Sequence, residues 1–166
     1  MKRSQGFTLI ELLIVVSIIL VIAAITIPCL VQSKISAAEA AAVGSIRAIN
    51  TAEVSYQAAY PSVGYAVSLA NLGGAEPCER SATTACLIDQ GLASGSKSGY
   101  KFVIGGDSAD GANSSYVVGA APVVFDRTGI RLFCSTERGV IRQDANAGKS
   151  TTPPNVQQCA GFASLQ

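Results

Sequence analysis

Histidine is absent from all 166 residues of the chain. That removes the side chain best suited to general-base work near neutral pH and a common zinc ligand. Cys-x-x-Cys spacing is also missing, so no zinc ligand set is visible. No glycine-rich loop follows a strand-like run in a way that would cradle phosphate. Charge is sparse as well. Twelve Lys and Arg stand against eleven Asp and Glu, with no basic stripe or arginine-rich tract to attract nucleic acid or acidic lipid. Catalysis, a resident metal and a bound cofactor are therefore not expected, and nucleic acid is not indicated as a partner.

What is present is a long apolar run. Residues 7–31 contain a single charge, Glu11, and the twenty residues from Leu12 to Val31 contain none. At about 1.5 Å rise per residue, such a helix reaches across roughly 30 Å of hydrocarbon. Lys2 and Arg3 precede it, so the N-terminus stays on the cytoplasmic side and the C-terminal part is sent across. A carboxylate within a spanning helix costs about 2.5–3.5 kcal/mol at mid-bilayer, so Glu11 needs a purpose.

The order Gly6-Phe7-Thr8-Leu9-Ile10-Glu11 ahead of that run resembles the precursors of the type IV pilin and pseudopilin family. The resemblance is specific over residues 2–31 and loose in architecture beyond. It implies that a prepilin peptidase cuts between Gly6 and Phe7 and methylates the new amine of Phe7. It further implies that Glu11 is the carboxylate matched to the Phe7 amine of a neighbouring subunit as a filament grows. Physics supports the match, because an amine and a carboxylate neutralise each other where an unpaired charge is expensive. Glu11 also lies in the first helical turn, where the dipole favours negative charge, and Gly6 lets a protease approach the backbone closely.

Two other accounts of the N-terminus are weaker. An ordinary secretory signal, with Ala38-Glu39-Ala40 as a cleavage site, usually has an apolar stretch of about 7–15 residues and would leave Glu11 unexplained. A plain single-span anchor fits the length but not the glutamate.

Cysteine usage suits an exported domain. Cys78, Cys86, Cys134 and Cys159 can form two disulfides in three pairings. Cys78–Cys86 with Cys134–Cys159 is favoured, because each bridge closes a local loop. The second pair resembles the disulfide that bounds the C-terminal loop of many type IV pilins. Cys29 lies in the apolar run and reads as a small buried residue.

Helical character continues past the membrane run. Ile35, Ala38, Ala42, Ile46, Ile49, Glu53, Tyr56 and Tyr60 recur every three or four residues, while Lys34, Glu39, Arg47, Asn50 and Gln57 take the other face. The spacing of Tyr56 and Tyr60 suits core packing better than an electron-carrying stripe. The expected helix runs from Phe7 to Ala59, with a kink or local melting at Pro28. Residues 61–86 read as a surface loop, and Leu87 to Ala93 as a short helix or turn ended by Gly95. Strand-like runs follow at Tyr100–Ile104, Ser115–Ala120 with Val123–Phe125, Ile130–Ser135 and Val140–Gln143. Asp126–Gly129 and Thr136–Gly139 read as tight turns with glycine in the left-handed position. Asp107 to Asn113 is acidic, but its spacing does not fit a calcium loop and suits a hairpin.

The expected fold class is α+β, a long N-terminal helix packed on a three- to four-stranded antiparallel meander. The expected organisation is a leader (1–6), a membrane and filament-core half of the helix (7–31), an amphipathic half (32–60), an αβ loop (61–99), a sheet (100–144) and a disulfide-bounded tail (145–166). The function this implies is a structural pilus subunit, held in the inner membrane with its C-terminal domain periplasmic and then polymerised outside the cell. Its partners would be further copies of itself, the prepilin peptidase, the inner-membrane assembly machinery and minor pilins. A secretion pseudopilin confined to the periplasm is the alternative. A mature length of 160 residues and the Cys134–Cys159 loop lean towards the pilus. A receptor or adhesin on a single-span anchor would require Glu11 to be incidental.

Overall fold

The computed structural model describes residues 7–75, 77–109 (backbone alone at 107–109) and 112–165. The chain divides into two compact units, Met1–Lys34 and Ile35–Gln166. Helix α1, Leu9–Ala59, begins in the first and ends in the second. It is continuous through Pro28, so the melting expected there does not occur. Proline removes one N–H, and a single missing bond can be tolerated in a helix that long because the flanking turns still propagate. At the other end Pro61 is incompatible with further helix, and Gly64 N–H donates back to the Tyr60 carbonyl at 3.1 Å.

In the second unit α1 buries Ile35, Glu39, Ala42, Ser45, Ile46, Ile49, Ala52, Glu53 and Tyr56. The three- and four-residue spacing puts these on one face, and burying Ile46 or Ile49 contributes about 1.5–3 kcal/mol each. Two residues expected on the outer face turn inward. Glu39 is buried, and Asn50 is half-buried with Nδ2 donating to Ser135 Oγ at 2.9 Å. Their polarity hid them in the sequence pattern, because only the sheet supplies the partners that make their burial affordable.

The sheet has six antiparallel strands in sequential order: β1 Ser96–Lys97, β2 Tyr100–Ala109, β3 Ala112–Pro122, β4 Leu132–Thr136, β5 Ile141–Asp144 and β6 Ala163–Ser164. Four of them form the expected meander, and a two-residue strand is added at each edge. Strands β2 and β3 pair from Tyr100↔Pro122 to Ala109↔Ala112, with a bulge between Asp107 and Ser108. Tyr100, Phe102, Ile104, Tyr116, Val118, Ala120, Phe133 and Ile141 supply the sheet's share of the core.

Several boundaries differ from expectation for local reasons. Strand β4 starts at Leu132 rather than Ile130, because the N–H groups of Ile130 and Arg131 both donate to Glu39 Oε1, at 3.0 and 3.1 Å. Val123–Phe125 leaves the sheet for a turn, in which Asp126, not Gly129, takes the positive φ of 61°. Gly139 does adopt the left-handed conformation, at 72°.

Residues 61–86 are not purely surface loop. They include α2, Leu69–Leu72, and bury Ala66, Leu69, Leu72 and Ala85 in the core. One turn of helix is too short to show a period. Helix α3, Gln90–Ala93, is capped by Asp89, whose carboxylate accepts the Leu92 N–H at 3.1 Å. In the tail, helix α4, Val156–Ala160, starts on a reciprocal cap between Asn155 and Gln158. It presents Cys159 to Cys134 of β4, and the two form a disulfide with Cα atoms 5.8 Å apart. Cys78 and Cys86 form the other, at 6.2 Å.

Candidate functional site: the N-terminal helix end

Glu11, the one charge of the apolar run, sits at the third helical position behind Thr8. Its Oε2 accepts from the Thr8 N–H at 3.0 Å and from the Thr8 hydroxyl at 2.6 Å. Thr8 Oγ1 in turn accepts from the Glu11 N–H at 3.3 Å. This reciprocal pair is a capping box, which satisfies two backbone donors that a helix start otherwise leaves orphaned. Sequence reading identified Glu11 but missed Thr8, although the Thr-x-x-Glu spacing ahead of an apolar run is the signature of that cap. The consequence is a carboxylate held in a defined position at the helix start, still solvent-exposed and near the backbone of Phe7.

Beyond the cap, the helix surface has no partner among the described residues of its own unit. Phe7 and Leu9 are each 80% exposed, and the large apolar side chains from Ile10 to Val31 are about half or more exposed. The segment is long and apolar enough to cross a membrane. Its few polar side chains are satisfied internally: Ser17 donates to the Leu13 carbonyl at 2.7 Å, Thr26 to Ile22 at 2.9 Å and Ser33 to Cys29 at 3.0 Å. Such bonds let hydroxyls sit in an apolar medium without an orphaned donor. Cys29 is a free thiol on the exposed surface rather than a buried residue, because this half of the helix buries nothing.

The expected cleavage site is half visible. Phe7 is described, whereas Gly6 lies outside the described residues. Asp110 of the acidic hairpin and the side chain of Asp107 lie outside them as well. Among the described residues, no group of three or more His, Cys, Asp or Glu is placed to hold a metal ion.

Residues 1–27 match the family described as the prokaryotic N-terminal methylation motif. The chain carries the type IV pilin and pseudopilin signature. No curated protein and no solved structure matches the chain. Within the motif Glu11 and Thr8 form the cap, and the long α-helix on a six-stranded antiparallel sheet is consistent with a pilin fold. The match supports a pilin-like or pseudopilin-like precursor by its N-terminal segment, and that segment fits membrane anchoring.

Proposed function

We propose that the protein is a structural subunit of a type IV pilus, cut between Gly6 and Phe7 and polymerised through α1. The observation that carries this reading is the methylation motif set directly on an exposed apolar helix whose single charge, Glu11, is held at its start. In the membrane, lipid covers the apolar surface of residues 7–31. In a filament, the same surface of other copies replaces lipid, and exclusion of water from that interface drives assembly. Glu11 then faces an amine rather than water. Cleavage creates that amine at Phe7, and a neighbour's Phe7 is the cation available to an otherwise apolar core. Methylation of the amine leaves its charge in place.

The exported unit, residues 35–166, forms the outer part of such a filament, with the two disulfides bracing its irregular segments. Its role is mechanical and adhesive rather than catalytic, and its partners are further copies, minor pilins, the prepilin peptidase and the inner-membrane machinery. A periplasmic pseudopilus remains the second reading, since the motif serves both.

The test is Gly6→Val in a strain whose own copy is deleted. The expected result is an uncut precursor retained in the inner membrane and no sheared fibres. Normal fibres whose subunits still begin at Met1 would refute the reading. Wild-type subunits found only in the periplasmic fraction would select the pseudopilus.

A further inference from the structure

Glu53 stands out in the second unit. It occupies the buried face of α1 among Ile46, Ile49, Ala52 and Tyr56, and is itself 0% exposed. Its Oε2 accepts the Ala66 N–H at 2.8 Å. Its Oε1 is equally buried and has no hydrogen-bond partner among the described residues. The ionisable group that feels it is Tyr116 of β3, which Tyr65, its ring edge-on at 4.8 Å, and Glu137 also influence. On its own helix, Asn50 accepts from the Tyr116 hydroxyl at 3.1 Å, so that hydroxyl is committed elsewhere. Among the described residues no lysine or arginine offsets the carboxyl. Burial pushes it up to about 7, opposed by the Ala66 N–H.

We infer that Glu53 is a proton-operated latch, which as the neutral acid holds the segment 60–66 against α1 and on ionisation lets that segment open. The segment is bounded by the end of α1 on one side and by β3 on the other. Pro61 ends the helix before it, and its far side is tied to the start of β3: Asn113 N–H donates to Val63 at 2.9 Å, Tyr65 N–H to Asn113 at 3.0 Å, and Asn113 Nδ2 to Tyr65 at 2.9 Å. Glu53 is its side-chain tie to the helix. A neutral carboxyl can keep one acceptor bond in an apolar site. A full negative charge answered by one N–H cannot, and it regains hydration when the segment lifts.

The sign follows from linkage. Closed, the carboxyl keeps its proton to about neutrality; open, it titrates in the ordinary carboxylate range. Below that range both forms are protonated and the segment is held most tightly. Between that range and neutrality, opening releases one proton to solvent, so the open fraction rises about tenfold per pH unit. Above neutrality both forms are ionised and the open fraction levels off. The head is therefore tighter in mild acid than at neutral pH. No assembly step is involved, so the latch stands or falls independently of the pilus reading.

The test is hydrogen exchange at Ala66 and its neighbours in the full chain in detergent micelles, corrected for intrinsic rates, from pH 5 to 8. Protection should fall about tenfold per unit up to neutrality and then flatten. Glu53→Gln retains an oxygen for the Ala66 N–H and cannot ionise, so its protection should not vary with pH. A wild-type profile without pH dependence, or a variant that keeps the wild-type slope, overturns the latch. Carbon NMR of labelled glutamate in the wild-type chain gives the same answer without a substitution. A Glu53 midpoint near neutrality supports the latch, and one in the ordinary carboxylate range overturns it.

Discussion

The Tyr100 ring lies against the Cα of Gly129 so closely that a Cβ there would overlap the phenol. Tyr100 is itself fully buried and donates from its hydroxyl to the Arg131 carbonyl at 3.0 Å. Glycine at 129 is thus a matter of space rather than of backbone conformation, since the left-handed residue in that turn is Asp126.

Gly129→Ala should therefore destabilise the second unit although the turn itself tolerates alanine. Overpacking of this kind costs about 1–3 kcal/mol. A thermal melt of the unit should show a transition several degrees lower, whereas Gly139→Asn, in an open left-handed turn, should change little. An unchanged melt for Gly129→Ala would mean that the tyrosine can shift freely.

Glu39 offers a second measurable clamp. Its Oε1 accepts two adjacent amides, and its Oε2 lies 3.5 Å from Arg131 Nε. Arg131 is half exposed, so the ion pair itself matters little. Glu39→Ala strands two amides and should cost about 1–3 kcal/mol in denaturant melts. Glu39→Gln keeps an acceptor oxygen and should recover most of it. Equal losses from both would assign the effect to charge instead.

Assembly and capping can be separated at the helix start. Thr8→Val removes the capping hydroxyl and leaves the carboxylate, whereas Glu11→Ala removes the carboxylate. If Glu11 pairs with a neighbour's Phe7 amine, Glu11→Ala should still be inserted and cut, yet lose filament yield by about tenfold or more. Thr8→Val should assemble nearly normally. Matching defects in sheared-fibre yield, with processing intact, would show that the cap is what assembly needs.

The two disulfides should differ in weight. Loop-closure entropy gives about 2.6 kcal/mol for Cys78–Cys86 and about 3.5 kcal/mol for Cys134–Cys159. Cys134 and Cys159 are also fully buried, and their bridge holds α4 on β4. Paired Cys→Ser variants should accordingly melt lower for 134/159 than for 78/86. Non-reducing peptide maps should find Cys29 free.

Much of this molecule is written locally. The apolar run, its single Glu11 and the basic residues before it need no tertiary context, because membrane length and charge placement are properties of consecutive residues. The helical stripe from Ile35 to Tyr56 and the four central strands are equally legible, since each has a period of its own. The Thr8–Glu11 and Asn155–Gln158 caps are local as well, each set by residues three apart.

Other features exist only once the chain is folded. Nothing near Glu39 in sequence indicates that residues 130 and 131 will supply its donors, and nothing near Glu53 indicates that Ala66 will. Gly129 looks like a turn glycine until Tyr100, from strand β2, fills the space above it. The reason is physical. Periodicity and capping are fixed by neighbours three or four residues apart. The cost of a buried carboxyl or a crowded Cα depends on atoms that only tertiary packing brings near.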